Sequence, residues 1–426
     1  MSHFEGIADT PPDAAFSLVA AFAADKFETK VDLCPGFYRD ENAQPWVLPC
    51  AKQLLHEDPT VNHEHLPLSG HPDLIAGARS LVFGLPEADL SRVATIQTVS
   101  GTGSNHLGAR FISDELPSAA AASEKARRQK SVWISNLSWI NHTEIWLNVN
   151  PAIARCTYPY YNPTTQSLDY AGMQHALRHD AAAGDVVVLH GCAHNPTGLD
   201  LSHDQWRGIA DICEEKRLQG FSTGNPTADA WPIRHFFSRS SLECCVAQSF
   251  SKSFGLYSER VGALHVVTRS AEIAARVSGK LKLLQRAEIT TPPAFGARIV
   301  AKVLGDAALY RQWEGDLLRM SGRMRRMRER LVEELRARGT PGEWGHVLSE
   351  VRKMRSERSE ADEIGVQIGM FSMTGLSPAQ VKVLVEKYHV YLLPSGRISV
   401  TGLTEMNVAY VAEAFDKVLR SVDSTE

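Results

Sequence analysis

The chain predicts an α/β protein: a large domain on a mostly parallel sheet, followed by a smaller α+β domain. Three observations carry that reading. From about residue 46 to about 290, short β-rich runs alternate with amphipathic helical stretches, the pattern of parallel strands joined by crossover helices. Residues 293–338 then read as one or two long helices ending at Arg338-Gly339. From residue 341 a strand–helix–strand pattern returns and closes on a final helix from about Glu405.

Taken in order, residues 1–45 are polar and turn-rich. The strands expected next are Val93–Gln97, Val132–Ser135, Asp185–His190, Val246–Ser249 and Gly262–Val267, all rich in apolar or β-branched residues. His203–Lys216 reads as a helix between two of them. The cationic stretch Met320–Arg338 suggests a nucleic-acid patch at first sight. Glu329, Glu333 and Glu334 interleave with its arginines, so a solvated helix face is expected instead. The smaller domain is expected to hold strands Val366–Ser372, Val390–Leu393 and Arg397–Val400 around a helix, Pro378–Lys387.

Bulk properties set limits. The 426 residues are 43% hydrophobic with a formal net charge of -4, ordinary values that point to neither nucleic-acid nor membrane-surface binding. No apolar run is long enough to span a bilayer. Met1–Phe16 contains Glu5, Asp9 and Asp13 but no lysine or arginine, so neither a secretory signal nor a mitochondrial presequence is expected. The seven cysteines are scattered without metal spacing, which predicts reduced thiols in a cytoplasmic protein and no metal site.

Three segments carry chemistry. Lys252, within Ser249-Phe250-Ser251-Lys252-Ser253-Phe254-Gly255, is the only lysine between Lys216 and Lys280. A lone amine after a buried strand, with hydroxyls around it and Arg260 further on, suits a Schiff-base lysine beside a bound phosphate. A surface lysine on a loop is the plainer alternative. Ser100-Gly101-Thr102-Gly103 follows one strand and opens a helix expected near Asn105. Glycines let the backbone approach an anion, hydroxyls donate to it, and the helix N-terminus adds its dipole. Without a Lys-Ser/Thr pair the turn suits a small monophosphate better than a nucleotide. His194-Asn195-Pro196-Thr197-Gly198 makes a fixed turn at the carboxyl end of a strand, where α/β proteins bind ligands, and Asn195 could donate its amide there. A plain turn is again the alternative. His190 and His194 lack the helical face a metal pair would need, and His63-Glu64-His65 is equally poor as a metal site.

Together these segments resemble the class I, fold-type I pyridoxal-phosphate aminotransferases, specifically the aspartate aminotransferase family of cytosolic type. The resemblance runs nearly end to end, through Gly36-Phe37-Tyr38-Arg39, Pro45–Pro49, Ser100–Gly103, Trp139 with Asn141-His142, His194–Gly198, Ser249–Gly255, Arg260-Val261-Gly262 and Pro394–Ser399. It implies residues 1–45 as an N-terminal arm and part of the small domain, 46–305 as the large cofactor-binding domain and 306–426 as the small domain. It also implies that Lys252 forms the internal aldimine and shuttles the α-proton. Ser100, Gly101, Thr102, Ser249, Ser251 and Arg260 would surround the phosphate, with His65 standing where the family has a phosphate-binding tyrosine. Asn195 would bond the ring oxygen and Trp139 would stack on the ring. Arg397 would clamp the substrate α-carboxylate beside the Gly36 backbone, and Arg286 would reach the distal carboxylate from the partner subunit. The implied protein is a homodimeric aminotransferase acting on aspartate or glutamate with a 2-oxo acid, without nucleic acid or membrane. Two guanidinium forks would select a dicarboxylic amino acid, although for each arginine taken alone a structural salt bridge is the favoured role.

The pattern breaks twice. The family places a strand after helix His203–Arg217 that carries an aspartate against the pyridine nitrogen and a tyrosine at the ring oxygen. Here Lys216-Arg217-Leu218 runs straight into Gln219-Gly220-Phe221-Ser222-Thr223-Gly224, so that segment is absent. No apolar run before Ala230-Trp231 is long enough for a buried strand, where a parallel sheet expects one. A charged insertion, Val351–Val366, suits a solvated loop. A misassigned exon boundary would produce both departures, and the transcript sequence decides that. The loss of the ring-nitrogen partner leaves two other readings open: a pyridoxal-phosphate enzyme retuned to other biosynthetic chemistry, and a catalytically impaired paralogue acting as a binding scaffold.

Overall fold

The computed structural model describes residues 14–34, 38–42, 46, 65–115, 130–216, 218–224, 229–348 and 367–422. Gly36 and the insertion Val351–Val366 lie outside them. The strands in chain order are β1 (Val31–Asp32), β2 (Val93–Val99), β3 (Ser131–Asn136), β4 (Ala154–Pro159), β5 (Tyr161–Asn162) and β6 (Ser167–Leu168). They continue as β7 (Val186–His190), β8 (Gln219–Gly224), β9 (Cys244–Ser249), β10 (Val261–Val267), β11 (Phe371–Met373), β12 (Val390–Tyr391) and β13 (Arg397–Ser399).

The chain forms two compact units. The larger comprises Trp46–Gly322 and Arg355–Gly369. It is built on a seven-stranded sheet of order β2-β10-β9-β8-β7-β3-β4. Only β10 runs antiparallel to its neighbours; the other described pairings are parallel. Burial on both faces explains the near-continuous apolar composition of β7, whose five residues are all buried. Its side chains alternate faces: Val186 and Val188 pack with Ile96, Leu107 and Leu264, whereas Val187 and Leu189 pack with Trp133, Trp206 and Ile209.

One expectation fails here. The sheet has no gap: Gln219–Gly224, β8, fills the position between β7 and β9. Its register runs Val186↔Gln219 to His190↔Thr223 on one side and Gly220↔Cys244 to Gly224↔Gln248 on the other. Pairing along both edges satisfies the backbone of a segment whose own composition, with two glycines, argues against a strand.

The smaller unit comprises Met1–Pro45, Arg323–Met354 and Met370–Glu426. Here β1 pairs in parallel with β12, and β11 pairs antiparallel with β13. Helix Pro378–Tyr388 starts at a capping box in which the Ser377 side chain accepts from the Gln380 amide and the Gln380 side chain reaches back. Its core joins Leu33, Leu331, Leu384, Ile398, Val411 and Phe415. Helix Ala307–Ala337 belongs to both units, and no described helix is long and apolar enough to cross a membrane.

Candidate active site

In the larger unit, β2 and β9 leave the sheet at the same edge, on either side of β10. The two exits and the entry to β10 are tied together. The Ser100 amide donates to the Arg260 carbonyl at 3.0 Å, and the Phe250 amide donates to the Val261 carbonyl at 3.0 Å. The hydroxyls of Ser100 and Ser251 lie 3.3 Å apart, and the Ser251 amide donates to the Ser249 hydroxyl at 3.2 Å. Ser100 and Arg260 both adopt left-handed backbone, φ 65 and 54. Such strain persists where surrounding contacts enforce it, commonly at ligand sites. Gly262 makes the close approach possible: a Cβ there would lie 2.6 Å from the Ser100 carbonyl.

The helix after β2 begins at Ser100, earlier than the expected Asn105. Gly101 and Thr102 therefore sit in its first turn, where backbone N–H groups have no intrahelical acceptor. The result is a cup of hydroxyls and N–H groups in which Gly101 and Thr102 are half-buried, with Arg260 joined to it through its backbone. Arg260 spends one N–H on the Tyr257 carbonyl at 2.7 Å, which fixes the side chain. Lys252 follows directly and is exposed.

Further along the same edge, β7 ends at His190 and leads to Asn195. Asp200 holds this turn by accepting from the amides of Ala193 at 2.9 Å and His194 at 3.1 Å. The chain returns to it at Gln367–Gly369, where the Ile368 amide donates to the Gly198 carbonyl at 2.7 Å. Burial pushes the Asp200 carboxyl up to about 7, against the opposing effect of the two amides. Trp139 caps helix Ile140–Val149 after β3 and meets His142 edge-on at 5.3 Å.

Between these groups lies a buried imidazole cluster. His142 and His190 share the Ser138 hydroxyl, at 3.1 and 3.2 Å. His194 bonds Ser135 and Thr197, both at 2.9 Å, and stacks on Tyr160 at 3.8 Å. The Asn195 amide donates to His190 Nδ1 at 3.2 Å. Burial lowers all three imidazoles: His142 to about 4, His194 to about 3, and His190 well below its ordinary value. All three are neutral at pH 7. In sequence, His190 and His194 show only the spacing of a metal pair without the helical face it needs. A histidine ending an otherwise apolar buried strand was the signal that a polar network begins there.

Three further expected site residues, His65, Arg286 and Arg397, have local surroundings of their own. His65 is exposed and pairs its Nδ1 with the Thr291 hydroxyl at 3.2 Å. Arg286 lies exposed in the last turn of helix Ala271–Glu288. Arg397 belongs to the smaller unit, where it donates to the Cys34 carbonyl at 3.1 Å and lies over the Phe371 ring at 4.0 Å. Burial lowers its pKa to about 10, so it stays charged at neutrality.

Residues 28–415 match the family model for aminotransferase class I and II. The chain belongs to that aminotransferase family. The cytoplasmic aspartate aminotransferase of Saccharomyces cerevisiae is 39% identical over 436 residues, spanning 98% of this chain and 97% of the relative. An L-tyrosine:2-oxoglutarate aminotransferase of Aspergillus ustus is 40% identical, spanning 95% of this chain and 76% of that protein. Among solved structures, the S. cerevisiae cytoplasmic aspartate aminotransferase superposes with a TM-score of 0.87 at 38% identity, covering 98% of each chain. The aromatic-amino-acid aminotransferase of Burkholderia pseudomallei, covalently bound to pyridoxal phosphate, gives 0.88 at 34% identity, covering 98% of this chain and 100% of that one.

This aminotransferase is a fold-type I, pyridoxal-phosphate-dependent enzyme that moves an amino group between an amino acid and a 2-oxo acid. The residues present fit the cofactor's phosphate. The cup offers three serine hydroxyls, free helix N–H groups and one guanidinium, with no carboxylate among them. A Cβ on Gly101 would meet the Ser249 side chain at 2.9 Å, so glycine keeps that wall of the cradle open.

Proposed function

We propose that this aminotransferase acts on a dicarboxylic amino acid, aspartate or glutamate, as a cytoplasmic homodimer. The observation that carries the substrate reading is the pair of arginines outside the phosphate cup, Arg286 and Arg397. Arg397 is pinned by a carbonyl and an aromatic face, which preorganises its planar fork for a carboxylate. Arg286 is exposed and available to a distal carboxylate across a subunit boundary. The names of the aspartate aminotransferases among its relatives support the same choice.

Each residue then takes one task. Arg260, Ser100, Ser249, Ser251 and the first-turn amides at Gly101 and Thr102 hold the phosphate. Asn195 would donate to the ring hydroxyl, Trp139 would cover the ring, and His65 would supplement the phosphate contacts of a neighbouring subunit. Lys252 would provide the amine that holds the cofactor's aldehyde carbon, and its Nζ would serve as the base for the substrate's α-proton. Arg397 would orient the α-carboxylate. When bound, pyridoxal phosphate supplies the electron-withdrawing ring that makes the α-proton acidic.

Exposed apolar side chains support the homodimer. Leu283 and Ile289, which flank Arg286 in sequence, are 66% and 40% exposed, and Phe295 is 45% exposed. The test is half-transamination of the reconstituted holoenzyme, followed by absorbance, with aspartate, glutamate and tyrosine. A spectral change at far lower concentration for the two dicarboxylic acids is expected. No change with either of them contradicts the substrate reading.

A further inference from the structure

Arg397 is only as well placed as the strand it leans on. It opens β13, in a two-stranded sheet whose other strand, β11, is three residues long. A ribbon of that size holds its geometry poorly by itself. The register, Phe371↔Ser399 and Met373↔Arg397, sets Phe371 diagonally across from Arg397 on one face of the ribbon. Diagonal neighbours of that length can touch, and the guanidinium lies over the Phe371 ring at 4.0 Å.

A second guanidinium holds β11 in turn. Arg328 is 1% exposed, on the stretch of helix Ala307–Ala337 whose Met327, Leu331 and Leu335 enter the smaller unit's core. Its Nη2 donates to the Phe371 carbonyl at 2.7 Å and its Nη1 to the Val347 carbonyl at 2.9 Å. His346 ties the same two segments again: its ring nitrogens lie 2.9 Å from the Glu343 carbonyl and 3.1 Å from the Met373 carbonyl. All these residues belong to the smaller unit. Burying a charge this deeply is unfavourable, and burial lowers the Arg328 pKa to about 10. What the guanidinium adds over a single donor is a planar fork, which fixes the spacing between the Gly345–Val347 turn and β11.

We propose that Arg328 is a positioning residue for Arg397. It fixes the Phe371 backbone through the carbonyl, and the Phe371 ring then fixes the plane of the Arg397 guanidinium. That plane sets how the fork meets the substrate's α-carboxylate, where a small misplacement weakens a bidentate contact. This role rests on Arg397 binding that carboxylate, the reading of the site already proposed. Arg328 itself touches neither substrate nor cofactor in this scheme; it acts through β11.

The experiment is steady-state kinetics of the holoenzyme with aspartate, with melting temperatures alongside, on the wild type, Arg328→Lys, Phe371→Leu, Phe371→Tyr and Arg397→Lys. Arg328→Lys keeps the charge and loses the fork; Phe371→Leu removes the ring and leaves the backbone tie. Expected is a KM raised about ten-fold in both, with kcat lowered less, and near-wild-type values in Phe371→Tyr, which restores a ring. An unchanged KM in either folded variant overturns the proposal, whatever happens to its melting temperature. So does a Phe371→Tyr enzyme as impaired as Phe371→Leu, because the ring face is then not what acts. If Arg328→Lys does not fold, Phe371→Leu decides alone, since the proposed route runs through that ring. An unchanged KM in Arg397→Lys contradicts instead the carboxylate role of Arg397, and with it the proposed function.

Discussion

Gly101 and Ser249 approach so closely that a Cβ on the glycine would lie 2.9 Å from the Ser249 Cβ, and this contact joins the exits of two strands into one anion cup. The hydroxyl of Ser249 is held on the far side by the Ser251 amide. Gly101→Ala is expected to displace Ser249 and weaken cofactor binding by about ten-fold, or about 1.4 kcal/mol. Gly262→Ala meets backbone instead, at 2.6 Å from the Ser100 carbonyl, and should also destabilise the fold by about 1–3 kcal/mol. Cofactor titration by fluorescence and thermal melting of the apoenzyme separate the two effects. Equal, near-wild-type affinities would contradict the cradle.

Arg260 is anchored by the Tyr257 carbonyl, leaving its other N–H groups for the phosphate. Arg260→Lys keeps the charge and loses the fork. We expect cofactor affinity to fall about 10- to 100-fold by equilibrium dialysis, with little change in melting temperature of the apoenzyme.

The imidazole cluster gives the protein a defined acid sensitivity. His142 titrates at about 4 in the fold and near 6.5 when unfolded. Between those values the unfolded chain binds a proton that the native state does not, so stability is fully present above about pH 6.5 and declines as pH falls toward 4. His190 and His194 act in the same direction. Denaturant melts should therefore lose stability below pH 6.5, and His142→Gln should flatten the slope by about 1.4 kcal/mol per pH unit. A slope unchanged by that substitution would contradict a neutral buried His142.

Arg286 is exposed in the last turn of helix Ala271–Glu288. Arg286→Leu should raise KM for aspartate about 100-fold, lower kcat less, and leave tyrosine unaffected, as steady-state kinetics would show. Equal losses for aspartate and tyrosine would place the residue in a structural role.

Much of this was legible in the sequence because strand exits and glycine-hydroxyl turns are local features. The runs around Val93, Val186, Val246 and Gly262 gave the sheet, and the residues just after them gave the cup. β8 was not legible, because Gln219–Gly224 owes its strand geometry to the edges of β7 and β9, which no local propensity records. The imidazole cluster was hidden for a related reason. His142 follows β3, whereas His190 and His194 lie at the end of β7, so the cluster assembles only when those strands pair.

The most direct test of the account is mass spectrometry of the borohydride-reduced holoenzyme after proteolysis. The account predicts one cofactor adduct, on Lys252, lost together with the visible absorbance in Lys252→Ala. An adduct on another lysine, or none, would contradict it.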